Sequence, residues 1–391
     1  MFKKEKFFSI PKNIFVLGLI SLLNDASSEM IYPLIPVFLS TVIGANIATI
    51  GIIEGVAESS ASFVRAFSGY LSDKFKKRKV FIFFGYLFSM MARSALSLAT
   101  SSFHVFLVKF FDRVGKGVRE APRDSLISLS VNKDEFGKFF GFHRAMDTTG
   151  AIIGPVLAFL LLPMLANDLR SLFFLSLFFG ILVMFLIIFF VKDKNQSANG
   201  QPFNFSLKLF DGRFKLFLFS LFILSLATFS PAFLFLKAQE VGLSIILIPL
   251  IYAVANLIYA SFSTPAGILA DKIGHRNTLM IGLGIFVITF VGFGYTSDIK
   301  SLWLLFILWG LYNALTDGTI RAITADLVPE NLRGTAYGLQ SMIMGLALLP
   351  ASVLAGFLWQ NFNSSVAFYT SAGLAFVAMI ILWLSVHKTR N

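Results

Sequence analysis

Cysteine is absent from this 391-residue chain, so no disulfide, zinc or thiol chemistry can be argued for it. Charge is scarce as well. Asp, Glu, Lys and Arg make up 14% of the residues, against about 25% in an ordinary soluble domain. In their place stand 56% hydrophobic residues, 47 of the positions being Phe. A soluble chain of this length cannot hide so much apolar surface in one core, and lipid is the better solvent for it. The net charge of +12 does not point to nucleic acid, because the basic residues sit in short loops between apolar runs rather than on a soluble domain with interleaved aromatics. A nucleotide loop is missing too: "DRVGKG" from Asp112 lacks the spacing G-x4-G-K-[ST]. No nucleophile–base spacing or metal cluster stands out. The chain therefore reads as a non-enzyme without metal or cofactor, and an ion gradient is the expected energy source.

What is present is a series of apolar segments, each long enough for the roughly 20 residues of a membrane-spanning helix. They cover 14–40, 47–72, 80–100, 104–127, 139–162, 170–191, 214–237, 244–270, 277–296, 301–327, 335–359 and 365–386. None shows the alternation of a lipid-facing barrel strand. The basic N-terminus before Ile14 resembles a signal peptide, but the run continues and carries Asp25 and Glu29, so it reads as a retained first span. Segments on one side hold twenty-one Lys and Arg, and those on the other hold three, Arg170, Lys237 and Lys300. The bias predicts both termini on the cytoplasmic side. The polar stretch 192–213, "KDKNQSANGQPFNFSLKLFDGR", reads as a linker. It leaves one six-helix bundle at 1–191 and another at 214–391.

The two halves repeat each other. "GYLSDKFKKRK" at 69–79 returns as "GILADKIGHRN" at 267–277, 198 residues on. Pro33 and Pro231 are also 198 apart, Gly141 and Gly338 197, Pro155 and Pro350 195, and Asp124 and Asp326 202. Two parallel six-span repeats imply a duplicated transporter fold with its substrate site near the midplane between the halves.

The paired loop motif resembles the signature G-x-L-a-D-r-x-G-r-k-r of the major facilitator superfamily, and the resemblance runs along the whole chain. Gly267, Leu269, Asp271, Lys272, Gly274 and Arg276 fit it; the first copy departs at Lys76, where the family has Gly. The implied fold is an all-α membrane protein, with 12 transmembrane helices in two six-helix bundles. In that family the motif is a latch favouring the outward-open state. The implied latch residues are Gly69, Asp73, Arg78 and Asp124, then Gly267, Asp271, Arg276 and Asp326. Proton-coupled drug antiporters of the family carry R-x-x-q-G in span four, which Arg113, Lys116 and Gly117 resemble, with Arg119 and Glu120 departing from the small residues that follow. They also carry g-x8-G-x3-G-P-x2-G-G in span five. Gly141, Gly150, Gly154 and Pro155 match its spacing, while Ala158 and Phe159 replace the last two Gly. Gly150, Gly154 and Pro155 are expected to bend that helix and allow tight contact. The match favours export.

Charge inside the spans is uneven. The first six contain eight acids, including Asp25, Glu29, Glu54, Glu58, Asp112 and Asp147, and eight bases, including Arg65, Arg93, Lys109, Arg113, Lys116, Arg119 and Arg144. The second six contain Asp317, Arg321 and Asp326 away from their edges. A charge at a helix centre costs about 2.5–3.5 kcal/mol on insertion scales, so these groups must face water or each other. Asp25 and Glu29 share a face of span one, as do Glu54, Glu58 and Arg65 on span two. Asp112, Lys116 and Arg123 form a stripe on span four with Arg119 beside it. Asp25 and Glu29 are the expected proton carriers, with Arg113 and Asp112 tuning them. Asn24, Ser28, Glu58, Lys116, Arg119, Asn256 and Asn313 are the expected substrate-cavity residues. His143, Arg144 and Asp147 read as an interfacial pair rather than a relay. The expectation is a monomeric antiporter of the cytoplasmic (inner) membrane, exporting a small anionic or zwitterionic metabolite, siderophore or drug. Its partners are that solute, protons and the bilayer. The rivals are an uptake symporter of the same fold and a non-transporting receptor on this scaffold.

Overall fold

The computed structural model describes residues 10–75, 77–131, 135–193 and 210–385, without the side chains at 66, 67, 69, 70, 73, 74, 331 and 385. Helices occupy all twelve apolar segments, and no strand occurs among the described residues. With no water to receive backbone hydrogen bonds, an apolar run must satisfy them internally, and a helix does so. In chain order the helices are α1 (Lys12–Ile31), α2 (Ile35–Thr41), α3 (Ile47–Phe75), α4 (Arg78–Ala95), α5 (Ser102–Ser128), α6 (Phe136–Met164) and α7 (Leu169–Phe190). The second half holds α8 (Gly212–Ala227), α9 (Ala232–Glu240), α10 (Leu247–Ile273), α11 (His275–Tyr295), α12 (Ile299–Asp326), α13 (Arg333–Asn361) and α14 (Ser364–Ser385). Eleven segments, with α1–α2 and α8–α9 counted as one each, are long and apolar enough to cross a membrane. The remaining long helix, α5, carries eight charged residues.

The packing is duplicated along with the sequence. In the first half α1 lies on α6 and α7, α4 on α5 and α7, and α3 on α5. In the second, α8 lies on α13 and α14, α11 on α12 and α14, and α10 on α12. Every pair recurs at the equivalent position. The halves meet along α3–α13 and α6–α10, and where α2 touches α9. Close approach at these seams needs small residues. A Cβ on Gly150 would stand 2.4 Å from the Leu22 carbonyl oxygen, and one on Gly154 2.5 Å from that of Ala26. Both glycines thus seat α6 against α1. Gly51 does the same for α3 on α13, where a Cβ would meet the Ser352 carbonyl at 2.4 Å.

The face where α1 begins is called the near face below, and the opposite one the far face. The far ends of the two halves are tied together: Ser40 donates to Gln239 at 3.2 Å, and the Ile47 N–H to Gln360 at 3.1 Å. On the near face Gly274, with φ of 91°, turns the chain from α10 into α11 in a backbone state that suits glycine. The position matching it in the first copy, Lys76, lies outside the described residues.

Two spans are broken at matching places. A 3-10 turn at Tyr32–Leu34 separates α1 from α2, with Pro33 inside it. Thr228 to Pro231 separates α8 from α9. Proline lacks the N–H that a continuous helix needs. Corresponding breaks in two halves of a transporter fold mark the region of a binding site.

Candidate substrate and coupling site

Helices α3 and α5 run side by side in the same direction, and three ion pairs join them. Glu54 binds Lys109, Glu58 binds Arg113 at 2.6 Å, and Arg65 binds Glu120. Each pair has the same offset of 55 residues, so the three are rungs of one ladder. Exposure rises along it, from the Glu54 side chain at 0% to that of Arg65 at 52%. The sealed end carries compensating contacts, as buried charges require. Ser230, from the break before α9, donates to Glu54 at 3.0 Å, and the Tyr32 ring lies 5.8 Å from Lys109 and 5.6 Å from Arg113.

On α1, Asn24 donates to Asp25 at 3.0 Å. Arg93 holds Asn24 in turn, donating to its carbonyl at 3.0 Å and to its side-chain oxygen at 2.7 Å. Arginine carries only donors, so the Asn24 oxygen must face Arg93 and its NH2 must face Asp25. Glu29 accepts a hydrogen bond at 2.9 Å from Tyr252 of α10, in the other half. Ser28, Glu29, Tyr32, Arg93, Asp112 and Arg113 line a cavity of about 30 Å³, room for about one water.

The expected pairing of Arg113 with Asp25 and Glu29 is not the one observed. Arg113 turns to Glu58 and lies 4.0 Å from Asp112, and neither α1 acid forms a salt bridge among the described residues. The reason is the position of α5 between α3 and α4, which gives it two charged faces. Lys109, Arg113, Lys116 and Glu120 look toward α3. Asp112 and Arg119 look toward α4, where Asp112 lies 3.6 Å from Arg93. Arg119 donates to Ser89 at 2.5 Å and stacks 4.6 Å from Tyr86. The expected stripe of Asp112, Lys116 and Arg123, with Arg119 beside it, is therefore split, and Arg119 is buried against α4. Asn256 donates across the seam to the Ala151 carbonyl at 3.0 Å, while Asn313 spends its donor on Trp309 of its own helix at 2.9 Å.

A larger cavity of about 540 Å³ opens between the near halves of α6, α10 and α12. In it Arg144 donates to the Tyr259 hydroxyl at 2.9 Å, which donates to Asp317 at 2.8 Å. Arg144 thus bonds across the halves, rather than pairing with Asp147 as expected. Asp147 instead receives Ser21 and lies 3.5 Å from His143.

With this geometry in view, comparison with known proteins is decisive. The model of the Major Facilitator Superfamily matches residues 17–235 and 216–391. The chain belongs to that superfamily. It is 38% identical over 380 residues to an uncharacterized MFS-type transporter of Methanocaldococcus jannaschii, covering 95% of this chain and 94% of the relative. It is 23% identical over 394 residues to the multidrug resistance protein MdtG of Proteus mirabilis, with 96% of each chain covered. The nucleoside transporter NupG superposes with a TM-score of 0.79 at 15% identity, over 96% of this chain and 99% of that one, a likeness of fold.

Within this superfamily fold, the residues expected to form a latch lie at the near face in an arrangement of their own. The backbone at Gly69 and Asp73 is helical, but their side chains lie outside the described ones. Arg78 is buried and donates to Ser125 at 2.8 Å, while Asp124 pairs with Arg123 at 3.1 Å. In the second copy His275 takes the place expected of Arg276. It stands 2.6 Å from Asp326 and 3.8 Å from Asp271. Arg276 swings to α14, donating to the Trp383 carbonyl at 3.0 Å and stacking 4.5 Å from its ring. Gly267 lines the 540 Å³ cavity. Pro155 is buried within an unbroken α6.

Sequence reasoning missed Tyr32, Tyr252 and Ser230 as partners of the charges, and Arg93 as the residue that orients Asn24. One signal was readable: oppositely charged residues in two spans at a constant offset of 55.

Proposed function

We propose that this chain is a twelve-span secondary transporter working by alternating access as a monomer in the cytoplasmic (inner) membrane. Both termini lie in the cytoplasm, and the halves 1–191 and 214–391 are joined by the segment 192–213. It exports a small anionic or zwitterionic solute in exchange for protons. The observation that carries the reading is the hydrogen bond from Tyr252 to Glu29, which ties an ionisable group on one half to a neutral partner on the other. A hydrogen bond to an ionised carboxylate is about twice as strong as a neutral one. Protonating Glu29 therefore loosens the halves, and losing the proton draws them together. Asp25, held by Asn24 one turn away, is the second carrier. The Glu58–Arg113 pair, with Asp112 behind it, fixes the charge facing them.

Solute is held between Asn24, Ser28, Glu58 and Lys116 on one side and Asn256 and Asn313 on the other. Arg78 and Asp124, with Asp271, His275 and Asp326, form the near-face latch. Export is supported by the likeness to a multidrug resistance protein. An anionic or zwitterionic solute suits the two exposed bases, Arg144 and Arg321, that flank Asp317 on the near side.

The test is reconstitution into proteoliposomes with an imposed pH gradient and a panel of radiolabelled amino acids, organic acids and organic amines. Counterflow of an acid or zwitterion against protons, abolished by Glu29→Gln, is the expected outcome. Solute moving with protons would make the chain an uptake symporter. No gradient-dependent movement of any probe would contradict coupling.

A further inference from the structure

The cavity between α6, α10 and α12 has a chemistry distinct from the acids of α1. Six hydroxyls line it, those of Thr148, Thr149, Tyr259, Ser263, Thr264 and Thr319, and four of them are spent as donors on their own helix. Thr148 donates to the Arg144 carbonyl at 2.9 Å, Thr149 to Ala145 at 2.7 Å, Ser263 to Tyr259 at 2.5 Å and Thr319 to Leu315 at 2.7 Å. A hydroxyl has one proton and two lone pairs, so all four face the cavity as acceptors. Asp317 is an acceptor too. The strong donor is Arg144, whose side chain is 60% exposed and engages Tyr259 with one nitrogen. Its planar fork has further N–H groups for a bidentate carboxylate. The cavity's volume of about 540 Å³ falls in the range of small-molecule sites.

We propose that this cavity is a near-face loading site for a zwitterionic solute, whose carboxylate binds Arg144 and whose ammonium binds Asp317 and the hydroxyl acceptors. This deepens the transporter reading and rests on it for the solute's onward path. Arg144 and Asp317 lie 3.8 Å apart and are joined through Tyr259. A ligand carrying both charges replaces that contact in kind, so the two halves stay bridged through the ligand. A plain anion leaves Asp317 facing a like charge. A plain cation meets Arg144. Arg321, 3.4 Å from Asp317, keeps the net charge of the three side chains positive, so the site attracts the carboxylate end first.

The natural absence of cysteine makes the test clean. Thr148→Cys in the full chain, purified in detergent, is labelled with anionic sulfonatoethyl methanethiosulfonate or its cationic trimethylammonium analogue. The probes are three five-carbon solutes, 5-aminovalerate, glutarate and cadaverine. The anionic reagent should react about tenfold faster relative to its intrinsic rate, and Arg144→Gln should erase that preference. 5-Aminovalerate should slow labelling more than glutarate, and cadaverine should not slow it. Equal protection by glutarate or by cadaverine, protection by none of the three, or a charge preference indifferent to Arg144→Gln would overturn the assignment. Ser263→Cys serves as the second position if Thr148→Cys does not fold. Labelling needs neither a gradient nor turnover, so it fails or succeeds independently of proton-coupled export.

Discussion

The two halves of this molecule share one packing plan and fill it with different chemistry. Between α3 and α5 the contact is a ladder of ion pairs; between their counterparts α10 and α12 no ion pair forms among the described residues, and the helices meet through the Tyr259–Asp317 hydrogen bond and a close approach at Gly310, where a Cβ would stand 2.4 Å from the Ala255 carbonyl. The second half is instead knitted by rings. Phe286 and Phe290 stack with centroids 3.9 Å apart, and Phe293 and Phe368 stack at 5.4 Å. The lesson is that the fold itself does not require charge. Helix pairing recurs where the charges do not, so the charges of the first half serve something other than architecture. The second half presents hydroxyl, amide and aromatic partners such as Ser230, Tyr252 and Asn256 across the seam.

Breaking that contrast should cost most at the sealed rung. Lys109→Ala leaves Glu54 buried and unpaired, and about 3–5 kcal/mol of stability should be lost, read as chemical or thermal unfolding in detergent. The double change Glu54→Leu/Lys109→Met should recover most of it; a double variant as weak as the single one would show that the ladder is architectural after all. Phe293→Ala, in the ring cluster, should lose a comparable 3–5 kcal/mol, and here no charge-removing second change should help.

A smaller effect separates coupling from stability. Tyr252→Phe removes one hydroxyl and should cost about 1 kcal/mol. It should nevertheless alter proton-coupled transport strongly, while Tyr259→Phe should weaken solute loading instead. Equal effects of the two on both assays would erase the distinction between the sites.

The smallest effect lies outside the spans. Asp168 caps α7, accepting from the Arg170 and Ser171 N–H groups. The Ser171 hydroxyl, then these amides, hold its carboxyl below the ordinary carboxylate range. The depressed value means the cap stabilises above the unfolded pKa and fades as pH falls through the folded one. Asp168→Ala should cost about 1 kcal/mol at neutral pH, and the difference from the parent should shrink below about pH 4. A difference that stays constant into acid would assign the effect to helix propensity.

The fold was legible because its signals are local. Apolar runs, basic loops and the duplicated motif each occupy a short stretch, and every sequence-based boundary lies within three residues of a helix end except that of α4. There Leu96–Leu98 tightens into a 3-10 turn. The charged residues of the site were legible for the same reason, since a charge in an apolar run is visible by itself. Their partners were not. Which acid meets Arg113 depends on which neighbour each face of α5 touches, and a periodicity of 100° per residue cannot separate an α3 face from an α4 face. Arg119 turned to α4 for that reason, while Asp112 reaches both Arg93 and the cavity beside Glu29. The expected latch shows the same limit: His275 and Arg276 are adjacent in sequence, but His275 reaches Asp326 while Arg276 turns to Trp383.

The most direct test of the account follows the far-face seam with spin labels at Ser40→Cys and Gln239→Cys, measuring their separation by pulsed dipolar spectroscopy in lipid nanodiscs from acid to alkaline pH. The account predicts short and long distance populations that exchange with pH, and a single unresponsive distribution once Asp25→Asn and Glu29→Gln are added. A double variant that responds to pH as the parent does, or a parent that does not respond, would contradict it.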